Sequence, residues 1–229
     1  MKQWLSDFAD KFYLNFIAQN RYLLLLNGLK ITIYVTLGAV ILGILLGVIV
    51  ALMRISKNRI LSGIAEVYLT VIRGTPSLIQ LMIIYYVVFS GIRISQVLVA
   101  IIAFGINSGA YVGEIVRAGI QSIDKGQTEA SRSLGLNHAQ TMLYIILPQA
   151  FRNILPALAN EVITLMKETS IVGYIALQDL TRAGDYIRSR TFNAYMPLLA
   201  VAVIYLGMTM LLSAVFKNIE RRMHKNDSH

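Results

Sequence analysis

The sequence predicts an all-α, multi-pass membrane protein of about five transmembrane helices, and three observations carry that prediction. First, 56% of the 229 residues are hydrophobic and only 14% charged, whereas soluble domains hold about a quarter charged residues. Second, the charges gather in short stretches between long apolar runs, the pattern of repeated membrane crossings. Third, the net charge of +9 lies between those runs and not on one soluble face. That placement argues against a nucleic-acid partner and matches the Lys and Arg retained in cytoplasmic loops. Cysteine is absent, which rules out a disulfide framework or a thiolate metal site.

The elements follow in chain order. Residues 1–20 alternate polar and apolar side chains, with Trp4, Phe8, Phe12 and Phe16 four apart. That spacing predicts an amphipathic helix, lying in the membrane surface or packed against the bundle. The same acidic, aromatic stretch lacks the apolar core and cleavage site of a signal peptide. Span one is expected over Leu23–Met53, span two over Leu61–Phe89, span three over Val97–Val116, span four over Ala150–Met166 and span five over Met196–Phe216. Each approaches or exceeds the roughly 20 residues that cross hydrocarbon at about 1.5 Å per residue. Within span two, Arg73-Gly74-Thr75-Pro76 disfavours continuous helix and predicts a break. The chain reads as one transmembrane unit over 1–229, with no repeat, low-complexity tract or room for a soluble domain.

Small residues recur at packing distance. Gly43 and Gly47 form one GxxxG, and Gly105, Gly109 and Gly113 form two in succession. Close helix packing within the chain is the favoured reading, a dimer seam the other.

Five spans place the termini on opposite sides. Loops after spans one, three and five hold eleven Lys and Arg, and the opposite side eight. The bias predicts the N-terminus outside and the C-terminus in the cytoplasm.

Between spans three and four runs a polar stretch, 124–148. Asp124 is a helix-start signal, and Gly135 sits where a helix ends in a left-handed turn. Asn137 can cap the next helix, with Gln140 three residues on, as in a capping box. Two short cytoplasmic helices with a hinge are therefore expected.

The residues of this stretch resemble the signature of permeases of bacterial ATP-binding cassette importers. That pattern is Glu-Ala-Ala, three residues, Gly, nine residues, Ile, one residue, Leu-Pro. Here stand Glu129-Ala130, then Gly135, Ile145 and Leu147-Pro148, with Ser131 in place of the second Ala. Further stretches look like the polar amino acid uptake group: Arg73–Pro76 with Leu78 and Gln80, Ile106–Tyr111, Glu114-Ile115, Arg117–Ile120, Leu155-Pro156, Asn160-Glu161 and Lys167–Ser170. The resemblance covers essentially the whole chain. It implies a type I importer-like fold whose coupling helix, carrying Glu129, Ala130, Ser131 and Arg132, docks on a separate ATPase. Gly135, Leu147 and Pro148 belong to that segment. The small residues Ala130, Ser131 and Ser133 would permit close approach. A second permease copy or paralogue, an extracytoplasmic amino-acid-binding protein and surrounding lipid are the other implied partners.

No energy source is expected on this chain. Gly38 and Gly43 have P-loop glycine spacing, but Ile44 and Leu45 follow inside an apolar span, so no Gly-Lys-Ser/Thr cradle exists. ATP and Mg are assigned to the partner. The three histidines, His138, His224 and His229, lie outside the spans, and no HExxH or Ser-His arrangement occurs. Catalysis and metal binding are not expected.

Ionisable groups inside spans cost about 2.5–3.5 kcal/mol each and need partners or a polar cavity. Glu161 lies within span four, and Thr164, Leu165 and Glu168 share its helical face. A stripe facing a central path would let Glu161 take an ammonium or guanidinium, which favours a basic amino acid as cargo. Pairing of Glu161 with Arg73, Arg117 or another chain is the alternative. Glu114 and Arg117 have the spacing of a helical ion pair, and Glu66 has water or Arg59 in reach. Asn107 and Ser108 are expected to line the path or to bond neighbouring helices. The span-two break frees backbone groups that need cover, so Thr75, Leu78 and Gln80 are expected near the route or the dimer centre.

The function read from the sequence is a permease subunit of an ATP-driven importer moving polar, basic L-amino acids inward. An ion- or proton-coupled secondary transporter is the alternative, in which Glu161 titrates. A non-transporting scaffold is the third reading.

Overall fold

A computed structural model describes residues 2–225, with side chains from 7 to 223; Trp4, His224 and His229 of the sequence reading fall outside the described side chains. Among the described residues all regular structure is helical. The helices are α1 (Lys2–Phe12), α2 (Tyr22–Ile55), α3 (Arg59–Arg73), α4 (Ser77–Ile83), α5 (Gln96–Gln121), α6 (Lys125–Ser133), α7 (His138–Thr141), α8 (Leu147–Glu168), α9 (Leu180–Thr191) and α10 (Tyr195–Lys225). Wide π turns extend α1, α4 and α7, and a 3₁₀ stretch, Thr169–Ile175, extends α8.

Four helical stretches are long and apolar enough to cross a membrane, and the bent α3–α4 pair makes a fifth. The bend is 104° and lies at the predicted Arg73–Pro76 break.

The spine is the α2–α5 pair, and the glycine ridges explain it. A Cβ on Gly43 would fall 2.9 Å from Ser108 Cβ, and one on Gly47 would fall 2.5 Å from Val112 and 2.9 Å from the Gly113 nitrogen. In return, Gly105 receives Leu42, and Gly109 receives Leu46. The ridges therefore serve packing within the chain, where missing side chains let two backbones approach.

Three apolar cores adjoin this spine among the described residues, the smallest joining Val50, Ala65, Leu69 and Ala110. Of the two larger, one joins Val35, Ala39, Leu81, Ala103, Phe104, Leu165 and Val172. The other joins Phe16, Leu25, Leu180, Ala183, Ile187 and Met196. Phe16 thus anchors the end of the N-terminal segment to the bundle, while Phe8 and Phe12 stay exposed. Leu198, Val203, Leu206, Met210 and Leu211 leave α10 with a broad exposed apolar face, the surface a lipid-facing span presents.

Helix α9 has no counterpart in the sequence reading. Its buried residues Leu180, Ala183, Gly184 and Ile187 repeat at helical spacing, but the element is too short to register as a membrane span. Gly28 admits it: a Cβ there would lie 2.6 Å from the Asp179 carbonyl oxygen. Asp179 caps α9 through its carboxylate, accepting from the Thr181 and Arg182 nitrogens at 3.1 and 2.9 Å.

Candidate functional site

The span-two break is built by proline and repaired by glutamine. Pro76 has no N–H for the Ile72 carbonyl, the bond a helix would place there. The Gln80 amide takes that role, donating to Ile72 O at 2.7 Å, to Thr75 O at 3.0 Å and to Thr75 Oγ1 at 2.7 Å. Its own oxygen accepts from Asn107 Nδ2 at 2.9 Å. Gln80 and Asn107 are both buried, so the polar groups of the break are satisfied inside the protein, as a low-dielectric setting requires. Leu78, two residues before Gln80, is partly buried, and Thr75 is exposed and donates to Val71 O.

One residue along α5 from Asn107, Ser108 Oγ donates to Glu161 Oε1 at 2.8 Å. This joins α5 and α8 near the middle of two spans. Glu161 is partly buried and forms no ion pair among the described residues. The expected alternative, pairing with Arg73 or Arg117, is not what the structure builds. Arg117 is held by Glu114, donating from Nε at 3.0 Å with a second, shorter Nη2 contact, as their spacing predicts. Arg73 instead stacks over the Tyr111 ring, 5.4 Å from its centroid. Glu66 pairs with Arg54 at 3.4 Å and not with Arg59, because α3 folds back along the end of α2.

The stripe around Glu161 needs correction. Leu165 is 1% exposed and packs in the first core against Leu81 and Val172, so it lines no path. Thr164 is exposed and Glu168 partly buried. The residues that do continue from Glu161 lie the other way along α8, at Ala157 and Asn153, each four residues earlier. With Glu114, Ala118 and Ser122 of α5 they line a cavity of about 420 Å³. Asn153 Nδ2 donates to Ser122 Oγ at 2.8 Å, at the point where α5 gives way to the coupling segment.

That segment has the local structure expected of it. Asp124 caps α6 by accepting from the Gly126 nitrogen, Gly135 turns with φ +88°, and Asn137 with Gln140 forms a reciprocal capping box. Glu129, Ala130, Arg132 and Gly135 are exposed, as are Leu147 and Pro148. Ser131 differs: it is 4% exposed and donates to Gln127 O and Thr141 Oγ1. Its side chain thus belongs to the α6–α7 contact, while its neighbours Ala130 and Arg132 are exposed.

Among the contacts with no signal in the sequence are Asn153–Ser122, Arg73–Tyr111, and the Tyr68 hydroxyl, which donates to the Ile106 carbonyl at 2.5 Å. They join residues far apart in sequence, and no local spacing signals them.

Comparison with known proteins places this geometry. Residues 43–225 match the family described as binding-protein-dependent transport system inner membrane component. The arginine transport system permease protein ArtQ of Bacillus subtilis (strain 168) is 42% identical over 205 residues, 89% of this chain and 94% of that protein. The glutamine transport system permease protein GlnP of Escherichia coli (strain K12) is 39% identical, over 87% of this chain and 93% of that one. A crystal structure of an amino acid ABC transporter with histidines superposes with a TM-score of 0.83 at 45% identity, covering 90% of this chain and 98% of that chain. An inward-facing structure of the MetNI methionine ABC transporter, at 22% identity and TM-score 0.74 over 88% and 97% of the two chains, shares the fold. The chain belongs to the binding-protein-dependent transport system inner membrane component family, as an ABC importer permease of the polar amino acid type.

Proposed function

We propose that this permease carries polar, basic L-amino acids into the cytoplasm, with Glu161 receiving the cationic group of the cargo. The observation that carries this reading is the Ser108–Glu161 bond at 2.8 Å. A carboxylate within a span, held by one hydroxyl and without an ion pair among the described residues, is left to meet a cation. The arginine and glutamine transport named for its relatives supports an amino acid cargo. Asn107, Gln80 and Leu78 shape the wall beside the break, and Ser108 orients the acid.

In this reading two permeases, identical or paralogous, sit in lipid with N-termini outside and C-termini in the cytoplasm. An extracytoplasmic binding protein delivers the amino acid. ATP and Mg bind the partner ATPases, whose closure moves the α6 helices carrying Glu129, Ala130 and Arg132. The transport energy comes from that cycle, and the permease contributes different cargo affinities in its two states.

The test is uptake and amino-acid-stimulated ATPase activity in proteoliposomes holding the permease, ATPase and binding protein, comparing native protein with Glu161→Gln. Loss of basic amino acid uptake with basal ATPase retained is the expected result. Unchanged uptake would make Glu161 structural. Uptake independent of ATP would restore the ion-coupled secondary transporter.

A further inference from the structure

Three spans, α2, α8 and α10, enclose an apolar cavity of about 210 Å³. Its floor is Thr36 of α2 and Met166 of α8, both buried, and its rim is Ile33 and Leu37 of α2 with Leu211 of α10, all exposed. The cavity therefore opens on the outer surface of the bundle, at the apolar face of α10. Thr36 is the one polar residue among its described lining, and its hydroxyl donates to the Thr32 carbonyl at 2.8 Å. A water molecule needs two to four polar partners to stay in a cavity, so this one excludes water. An apolar cavity of about 150 Å³ takes benzene, and on that scale this one takes roughly eight carbons in a row. Tails in the bilayer are as apolar as these walls, so the gain on filling is contact: a void forfeits the dispersion of the atoms that line it.

Depth and charge indicate what stands at the mouth. Lys30 and Arg54 lie about 36 Å apart along α2 at 1.5 Å per residue, and so bracket a hydrocarbon core of about 30 Å. Lys30 precedes Ile33 by three residues and Leu37 by seven, which puts it on their face, one turn toward the membrane surface. Its ammonium lies 5.7 Å from the Tyr34 ring centroid, is exposed and meets no carboxylate among the described residues. A lysine stem laid on apolar surface with its charge at headgroup level is the snorkelling arrangement, and Tyr is enriched at that level. A second protein laid over this rim would bury the ammonium unpaired, which is costly. A phospholipid brings a phosphate to it.

We propose that this cavity is a phospholipid site, in which one acyl chain enters between α2, α8 and α10 and an anionic headgroup meets Lys30. Val162 and Met166, both in its lining, directly follow Glu161 and Leu165 on α8. They stand about 100–140° round that helix from Glu161, so a seated chain braces the helix carrying the acid from another side. The site stands whichever amino acid is carried.

The experiment uses full-length permease in proteoliposomes, with Trp4→Phe removing the sole tryptophan and Leu37→Trp placing a reporter on the rim. Phosphatidylglycerol or phosphatidylcholine brominated along an acyl chain is titrated in, and quenching of the reporter is read. The reporter should favour brominated phosphatidylglycerol by about fivefold, the scale of one lysine near an anionic headgroup. Lys30→Gln should level that preference, Leu212→Phe should weaken it by filling the cavity, and Leu206→Trp, on the open face of α10, should show none. Should Leu37→Trp not reconstitute, Leu211→Trp on the opposite rim carries the test. Equal quenching by the two lipids at the rim means ordinary surrounding lipid and overturns the site. An unchanged preference in Lys30→Gln or Leu212→Phe overturns it as well. A rim reporter that neither lipid quenches, while Leu206→Trp is quenched, means that protein such as a second permease copy covers the rim, and the site falls.

Discussion

Ser108 on α5 and Glu161 on α8 are joined by a hydrogen bond of 2.8 Å across 53 residues of sequence. It orients one carboxylate oxygen, and the other has no hydrogen-bond partner among the described residues. Ser108→Ala keeps the size of the site and removes the donor. A hydrogen bond to a charged group contributes roughly 1.5–3 kcal/mol, so the apparent affinity for transported amino acid should fall about tenfold with basal ATPase activity intact. Uptake kinetics in proteoliposomes check this, and an unchanged KM would remove Ser108 from the site.

Gln80→Leu strips the repair from the span-two break. The Ile72 carbonyl, the Thr75 carbonyl and the Asn107 amide each lose a partner. Unsatisfied buried groups cost about 1–3 kcal/mol each, so the variant should melt several degrees lower in detergent. Gln80→Glu keeps the acceptor for Asn107 but loses the donors, and should fall in the same direction.

Glu129 is exposed on α6 and makes no side-chain bond among the described residues, so Glu129→Ala should leave stability within about 0.5 kcal/mol of native. Transport and substrate-stimulated ATPase activity should nonetheless fall, because the proposed function places Glu129 on the face that meets the ATPase. Gly135→Ala acts differently. Nothing lies within 4 Å of the added Cβ, but the φ of +88° strains it, at about 1–2 kcal/mol. Co-purification of the ATPase separates the two effects: weakened with Glu129→Ala, and with Gly135→Ala accompanied by a lower melting temperature.

Asp179 supplies a pH dependence outside the spans. Burial raises its carboxyl above the ordinary aspartate value, and the backbone N–H groups of Arg182 and Thr181 offset part of that rise. The folded state therefore binds the proton more tightly than the unfolded chain. The stabilisation this group adds is fully present below the unfolded value of about 3.9 and fades as pH rises through the folded value. Asp179→Asn retains a capping oxygen and does not titrate. The melting temperature of native protein relative to this variant should decline as pH rises above about 4. A difference that stays flat with pH would mean that Asp179 ionises in the fold as it does in water.

Much of the fold is legible in the sequence where the signal is local. The break at Arg73–Pro76 follows from proline chemistry, and the capped helix pair with its Gly135 turn follows from cap and turn residues. The Glu114–Arg117 pair follows from helical spacing. The candidate site is legible only in part. An acid inside a span marks Glu161, yet helical spacing alone adds Leu165 to its stripe, and the first core buries that residue. Helix α9 gives no such signal, being a short amphipathic element among long apolar ones.

The sequence alone determined the apolar stretches long enough to cross a membrane, the break in the second and the capped helix pair over 124–148, because span length, proline and capping act within a few residues. Only the tertiary structure decided the partners of the charges: Glu161 with Ser108, Glu66 with Arg54, Arg73 against Tyr111. Those choices depend on which helix faces which at what height, and the close approach of α2 to α5 at their glycines fixes that geometry across the whole bundle.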